Sequence, residues 1–202
     1  MSPTAAPGKR EQTKAANREA ILDAARSVFA ELGYGTATVR DVVRRTGLAA
    51  GTFYNYFPDK ESVLRALVED NATVIRARLR AVRARAQTWE EFVREGYRVY
   101  FEYILEDRAT FELMRRNAGT IRALMHEPAL GAGVEDLIED LRARAAARNL
   151  TGLDAEYVGA AMAGAGIEVA MRMIERDPPD VEGATRFATA LFLGGLERLS
   201  RA

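Results

Sequence analysis

From residue 50 to 57 the chain reads Ala-Gly-Thr-Phe-Tyr-Asn-Tyr-Phe. This octapeptide mixes small, hydroxyl, amide and phenol groups and holds no acid, base or thiol. Its chemistry is therefore hydrogen bonding and close approach, not proton or group transfer. On a helix Phe53 and Phe57 lie at i and i+4 and form an inward anchor, which turns Thr52 and Tyr56 outward with Asn55 beside them. Small groups at the start of such a helix, Gly51 among them, let it approach a duplex. The hydroxyls and the amide then reach base edges or phosphates in the major groove. Tyr54 taken alone reads equally well as a core tyrosine.

Other chemistry is thin. There is no cysteine and a single histidine, His126, which excludes disulfide frameworks, thiolate metal sites and paired-histidine mechanisms. No metal and no cofactor is expected. The acids of Glu90-Glu91, Glu135-Asp136 and Glu139-Asp140 are sequence neighbours, which suits helix surfaces better than a facing acid and base. Gly131-Ala132-Gly133 lacks the lysine and the strand of a phosphate loop. An enzyme is not expected. A helical interaction module that binds no nucleic acid is the other alternative.

The elements that must position the octapeptide are helical. The 202 residues hold 48% hydrophobic and 29% charged side chains, enough for a packed core in one domain or two small ones. An apolar stripe of Ile21, Ala25, Val28 and Leu32 predicts a first helix over roughly residues 13–32, closed by Gly33 and Gly35. Thr38 with Asp41 forms a capping box for a short helix that Gly47 breaks. The third helix spans residues 50–57 and stops at Pro58. Asp59 caps a fourth, long one. Two short helices on a longer first one describe a helix-turn-helix unit.

The spacing Thr38-x-Arg40-Asp41-Val42-Val43-x-x-Thr46-Gly47-Leu48-x-x-Gly51-Thr52-Phe53-Tyr54-Asn55-Tyr56-Phe57-x-Asp59-Lys60-Glu61-x-Val63-Leu64 resembles the N-terminal domain of TetR-family transcriptional repressors. The match spans about residues 14–64, and the rest of the chain resembles the family in length and helical layout only. The resemblance implies that Arg40 contacts DNA from the start of the second helix, that Thr52, Tyr54 and Tyr56 carry contacts of the recognition helix, and that Lys60 grips a phosphate. Gly51 falls where relatives carry small residues or proline, and Asn55 at a variable position. Charge agrees: residues 1–60 hold nine bases and six acids, a net +3 that leaves −3 on the remainder, with all three lysines in the basic part.

The fold expected is all-α with about nine helices. Residues 1–60 form a helix-turn-helix DNA-binding domain, with 1–12 as a flexible basic arm, and residues 61–202 form a helical effector-binding and dimerisation domain. Thr88 with Glu91 caps an aromatic helix, since residues 89–111 carry seven of the sixteen aromatics. Helices are expected over 108–126 and 134–148, with His126–Gly133 as a loop. Two more are expected, from Asp154 to about Arg176 and over 181–200.

Phe92, Tyr100, Tyr103, Ile104, Phe111, Met114, Ile121 and Met125, closed by Met162, Ile167 and Met171, are expected to line an effector cavity. Arg115, Arg116 and Arg122 are expected to receive an anionic head group, as of a fatty acid or acyl-CoA. An aromatic or drug-like effector of an efflux or catabolic repressor is the alternative. Residues 157–171 hold one charge, Glu168, and are glycine-rich and short for a membrane span. Val158, Ala161, Ala165 and Val169, with Ala184, Ala188, Leu191, Gly195 and Leu199, are expected to pair with a second copy as a four-helix interface. The N-terminal residues lack an apolar leader segment, so a cytoplasmic protein is expected.

Overall fold

The computed structural model describes residues 8–124, 128–148 and 152–199. Ten helices form among them, and no strand: α1 Lys9–Leu32, α2 Val39–Thr46, α3 Ala50–Tyr54, α4 Lys60–Arg85, α5 Trp89–Glu106, α6 Arg108–Arg116, α7 Ala118–Leu124, α8 Pro128–Ala146, α9 Ala155–Ile174 and α10 Val181–Leu199. They divide into two compact units. The first takes residues 1–70 and 109–124, the second 71–108 and 125–202. The first unit thus includes α7 and most of α6, which the sequence reading assigned to the C-terminal domain.

In the first unit Ile21, Leu22, Ala25, Val28 and Phe29 bury one stripe of α1, as the i, i+4, i+7 spacing requires. They share a core with Val42 of α2, Phe53 of α3, Phe57, and Val63, Leu64 and Leu67 of α4. Gly33 follows α1 at φ 77°, a backbone that side-chain-bearing residues rarely take. Helix α1 starts at Lys9, so the end of the expected basic arm is helical. Residues 1–7 lie outside the described ones.

Thr38 caps α2 through the reciprocal box with Asp41. The hydrogen-bonded Thr38 side chain and backbone hold the Asp41 carboxyl below its ordinary range. Helix α3 ends at Tyr54, earlier than expected, because Asn55 and Tyr56 tighten into a turn with N–H donors bonded three residues back. Pro58 then blocks continuation, and Asp59 Oδ1 accepts the Ser62 N–H at 2.8 Å to open α4.

The single helix expected over 108–126 is interrupted at Asn117. Its side-chain amide donates to Leu113 O at 2.8 Å and to Phe29 O at 3.5 Å, while its Oδ1 accepts the Tyr34 N–H at 2.7 Å. The Leu113 carbonyl accepts this amide beside the Asn117 backbone N–H, itself at 3.1 Å.

In the second unit α5 packs on α9 and α10, and α8 packs on α9. Tyr97 is the centre of this core. Its ring stacks on Phe101 at 5.7 Å and on Phe192 at 5.9 Å, and its hydroxyl donates to Met162 O at 2.9 Å. Gly159 allows the approach of α8: a Cβ there would sit 2.6 Å from Ile138 Cγ1. Both predicted caps form, the Thr88–Glu91 box on α5 and Asp154 on α9.

The loop expected over 126–133 is overturned from Pro128 onward. Proline suits the first helical position, where its missing N–H is not needed, and α8 runs on through Gly131 and Gly133. Helix α9, Ala155–Ile174, falls within the expected range of 154 to about 176. Its 20 residues with mean hydropathy 1.2 meet the length and composition of a membrane span. Ala155, Gly159, Met162, Gly166, Ala170 and Met173 of that helix are buried inside the unit.

Candidate nucleic-acid interface

The first unit presents α3 by its apolar side. Phe53 and Phe57 are buried, their rings 6.2 Å apart, and Phe53 meets the edge of Tyr54 at 5.4 Å. The α2–α3 turn is set by Gly47 in the left-handed conformation (φ 67°, ψ 5°), with the Leu48 N–H held by Thr46 Oγ1 at 3.1 Å. With that anchor fixed, Gly51, Tyr54 and Asn55 are exposed and Thr52 and Tyr56 are half-buried. Tyr54 is 57% exposed, so its core reading is set aside. The Tyr56 hydroxyl accepts a hydrogen bond from Asn17 Nδ2 at 3.4 Å, which steadies the phenol against α1.

Arg40 lies exposed in the first turn of α2, and Arg44 is exposed one turn on. Among the described residues neither enters an ion pair, whereas Arg45 binds Glu31 on α1. Two further bases, which the sequence marks only by their charge, join this face. Lys14 and Arg18, with Glu11, Gln12, Ala15 and Tyr56, line an open groove of about 490 Å³ along α1. Their i, i+4 spacing was the available signal. That they flank Tyr56 is a tertiary fact.

Lys60 does not stand free at the start of α4. Its ammonium donates to Tyr34 O at 2.8 Å, Ala37 O at 2.9 Å and Gly35 O at 3.4 Å, and lies 4.5 Å from the centre of the Tyr34 ring.

The expected effector residues are divided between the two units. In the first, Phe111 and Ile121 are buried and Met114 is half-buried. Arg115 is engaged by Glu112 at 2.8 Å, and Arg116 donates to Ala30 O and Glu31 O at 2.6 and 2.8 Å. Two of the three arginines expected at a head group are therefore committed to their own unit. In the second unit Phe92, Tyr103, Ile104 and Met162 are buried, while Tyr100 and Met171 are half-buried. Burial pushes the Tyr100 phenol up to about 12. The Tyr103 hydroxyl donates to Asn71 Oδ1 at 2.5 Å. Ile167 is 50% exposed and is corrected from cavity wall to outer face. Met125 and the Arg122 side chain lie outside the described residues.

The residues expected in the dimer stripe differ in exposure. Ala161, Leu191 and Gly195 are exposed, and Val158, Ala165 and Val169 are half-buried. Ala184 and Ala188 are buried and belong to the core of the second unit, because that side of α10 packs on α5. The exposed apolar side chains are Tyr157 and Ile167 on α9 and Phe187 and Leu191 on α10. The Leu199 side chain lies outside the described residues.

Residues 21–67 match the family model of bacterial regulatory proteins of the tetR family. The chain is 28% identical over 118 residues to an uncharacterised HTH-type transcriptional regulator of Haemophilus influenzae, a match that spans 57% of this chain and 58% of that protein. The fold is similar to that of the fatty acid degradation regulator FadR from Bacillus halodurans, with a TM-score of 0.76, 25% identity, and coverage of 95% of this chain and 98% of that one. It is similar also to a tetR-family regulatory protein from Rhodococcus RHA1, at TM-score 0.68, 21% identity, and coverage of 92% and 95%. The glycine turn, the Phe53–Phe57 anchor and the outward groups of α3 all fall inside the matched segment: residues 21–67 are similar to the bacterial regulatory proteins of the tetR family, and the whole chain shares the fold of the FadR regulator.

Proposed function

We propose that the chain is a cytoplasmic, ligand-responsive transcriptional regulator that binds a palindromic operator as a homodimer. The observation that carries this reading is the outward face of α3, with Gly51, Tyr54 and Asn55 exposed over a buried aromatic anchor, in the segment that matches a family of regulators. Thr52, Tyr54, Asn55 and Tyr56 read base edges, with Gly51 giving close approach. Arg40, Lys14 and Arg18 hold phosphates. One short helix covers few base pairs, so two copies with half-sites about one duplex turn apart supply the specificity.

The effector we propose is an elongated hydrophobic acid or its thioester. The similarity to a fatty acid degradation regulator supports it, as do the buried aromatics and methionines of the second unit. Arg115 and Arg116, being engaged, are given no head-group role. The effector shifts DNA affinity only by its differential affinity for two states of the protein, typically 1–3 kcal/mol.

The test is selection of duplexes from a random pool, followed by titration with a long-chain acyl thioester. An enriched palindrome is expected. Thr52→Ala and Tyr54→Ala should alter the base preference, whereas Lys14→Ala should weaken all duplexes alike and reduce the salt slope by about 0.9 per protomer. Failure to enrich any sequence sinks the regulator reading. Response to an aromatic compound and not to acyl ligands sinks the acyl reading alone.

A further inference from the structure

Within the second unit Arg76, Arg80 and Arg83 of α4 meet Asp136 and Asp140 of α8. Arg76 grips Asp136 with one edge of its guanidinium, Nε and Nη2 each donating to an oxygen, at 2.6 and 2.8 Å. Arg80 adds its charge to the same carboxylate at 3.7 Å. Arg83 differs from both. It is only 4% exposed, yet on the same edge neither Nε nor Nη2 has a hydrogen-bond partner. Asp140 Oδ2 lies 3.3 Å from Nε without hydrogen-bonding it, and that side chain is 43% exposed.

A guanidinium taken out of water is costly unless charge and hydrogen bonds are both returned to it. For Arg83 the return is incomplete. Burial lowers its guanidinium from the ordinary value; Asp140 and Asp136 oppose this, and Arg80 and Arg76 add to it. Arg144 of α8 brings a further cation to the same place. Its Nη2 donates to Arg83 O at 2.8 Å and Ala86 O at 3.0 Å, and its guanidinium lies 4.4 Å from the centre of the buried Phe92 ring. Two N–H bonds on one edge of a guanidinium match the two oxygens of a carboxylate or a phosphoryl group.

We propose that the Nε and Nη2 edge of Arg83 is the seat of the effector's anionic group, an oxyanion that presents two oxygens from an apolar body. The inference rests on the acyl-effector reading above and supplies the cation that the engaged Arg115 and Arg116 do not. Such an oxyanion has two sources, the carboxylate of a free acid and a phosphate of its coenzyme A thioester. Asp140, partly exposed, is the group that the oxyanion displaces from the edge.

Equilibrium dialysis with dodecanoate, dodecanoyl-CoA and the neutral methyl dodecanoate tests this on the wild type, Arg83→Met and Asp140→Asn, with the melting temperature of each followed by circular dichroism. Arg83→Met should lose about tenfold or more in affinity for one anionic ligand, which identifies the source, and bind the methyl ester as the wild type does. It should melt within about 5 °C of the wild type, because methionine occupies the site with no charge to desolvate. Asp140→Asn should bind the same anionic ligand more tightly, since a rival for the edge is gone. Unchanged binding by Arg83→Met overturns the proposal, as do equal losses for all three ligands, which assign Arg83 to holding α4 on α8. If Arg83→Met does not fold, Asp140→Asn decides: tighter binding of an anionic ligand alone supports the seat, and unchanged or weaker binding overturns it. If the wild type binds none of the three, the acyl reading falls and sulfate tests the seat by itself. Sulfate should then raise the melting temperature of the wild type more than that of Arg83→Met, and equal rises overturn the seat as well.

Discussion

At the scale of single residues, identity names a chemistry and neighbours select its use. Lys60 and Arg116 both look like free cations in the sequence, yet both bond the backbone around the end of α1 and the turn after it. Asp136 shows the same selection. Arg76 donates to both its oxygens, at 2.6 and 2.8 Å. That hydrogen-bonded guanidinium, helped by the charges of Arg80 and Arg83, holds the Asp136 carboxyl below its ordinary range against the opposing effect of partial burial. A depressed carboxylate stabilises the fold above the unfolded value, about 3.9, and loses that contribution as pH falls through the folded value. Because the Arg76 side chain is 38% exposed, solvent screens the pair and its contribution is modest. Urea unfolding of Asp136→Asn should therefore show a deficit at pH 7 that is smaller at about pH 2. An equal deficit at both pH values would assign the effect to packing.

At the scale of elements, helices begin where their caps dictate and end where tertiary partners intervene. Thr38, Thr88 and Asp154 each sit where an N-terminal cap is readable locally, and each cap forms. The break between α6 and α7 has no such local sign. Asn117 is an ordinary helix-surface amide in the sequence, but here it is buried and bonds Leu113, Phe29 and Tyr34. Removing it leaves the part-buried Tyr34 N–H without its acceptor, whereas the Phe29 carbonyl keeps the Gly33 N–H. Asn117→Ala should lower unfolding free energy by about 2–3 kcal/mol, measured by urea titration, with little loss of helical circular dichroism. A loss below about 0.5 kcal/mol would mean that water replaces the amide.

At the scale of the molecule, burial separates faces that composition leaves alike. Helix α10 is apolar on two sides; one side, with Ala184, Ala188 and Leu196, is internal, and the other exposes Phe187 and Leu191. Together with Tyr157 and Ile167 of α9, these large exposed side chains are the kind of surface that a second copy covers. The double variant Phe187→Glu with Leu191→Glu should elute as a monomer in light-scattering chromatography and bind the enriched duplex at least tenfold more weakly. A variant that stays dimeric places the interface on another face.

The sequence by itself determined the all-helical class, the helix starts capped by Thr38, Thr88 and Asp154, the Gly47 turn and the inward pairing of Phe53 with Phe57, because caps, glycine backbones and a 3.6-residue period act over a few residues. It also made the outward chemistry of α3 readable, since fixing one side of a short helix fixes the other. The engagement of Lys60 and Arg116, the burial of Asn117 and the buried side of α10 were decided only by tertiary structure. Each depends on a partner more than twenty residues away or on which of two apolar faces meets a neighbour, and local periodicity carries neither.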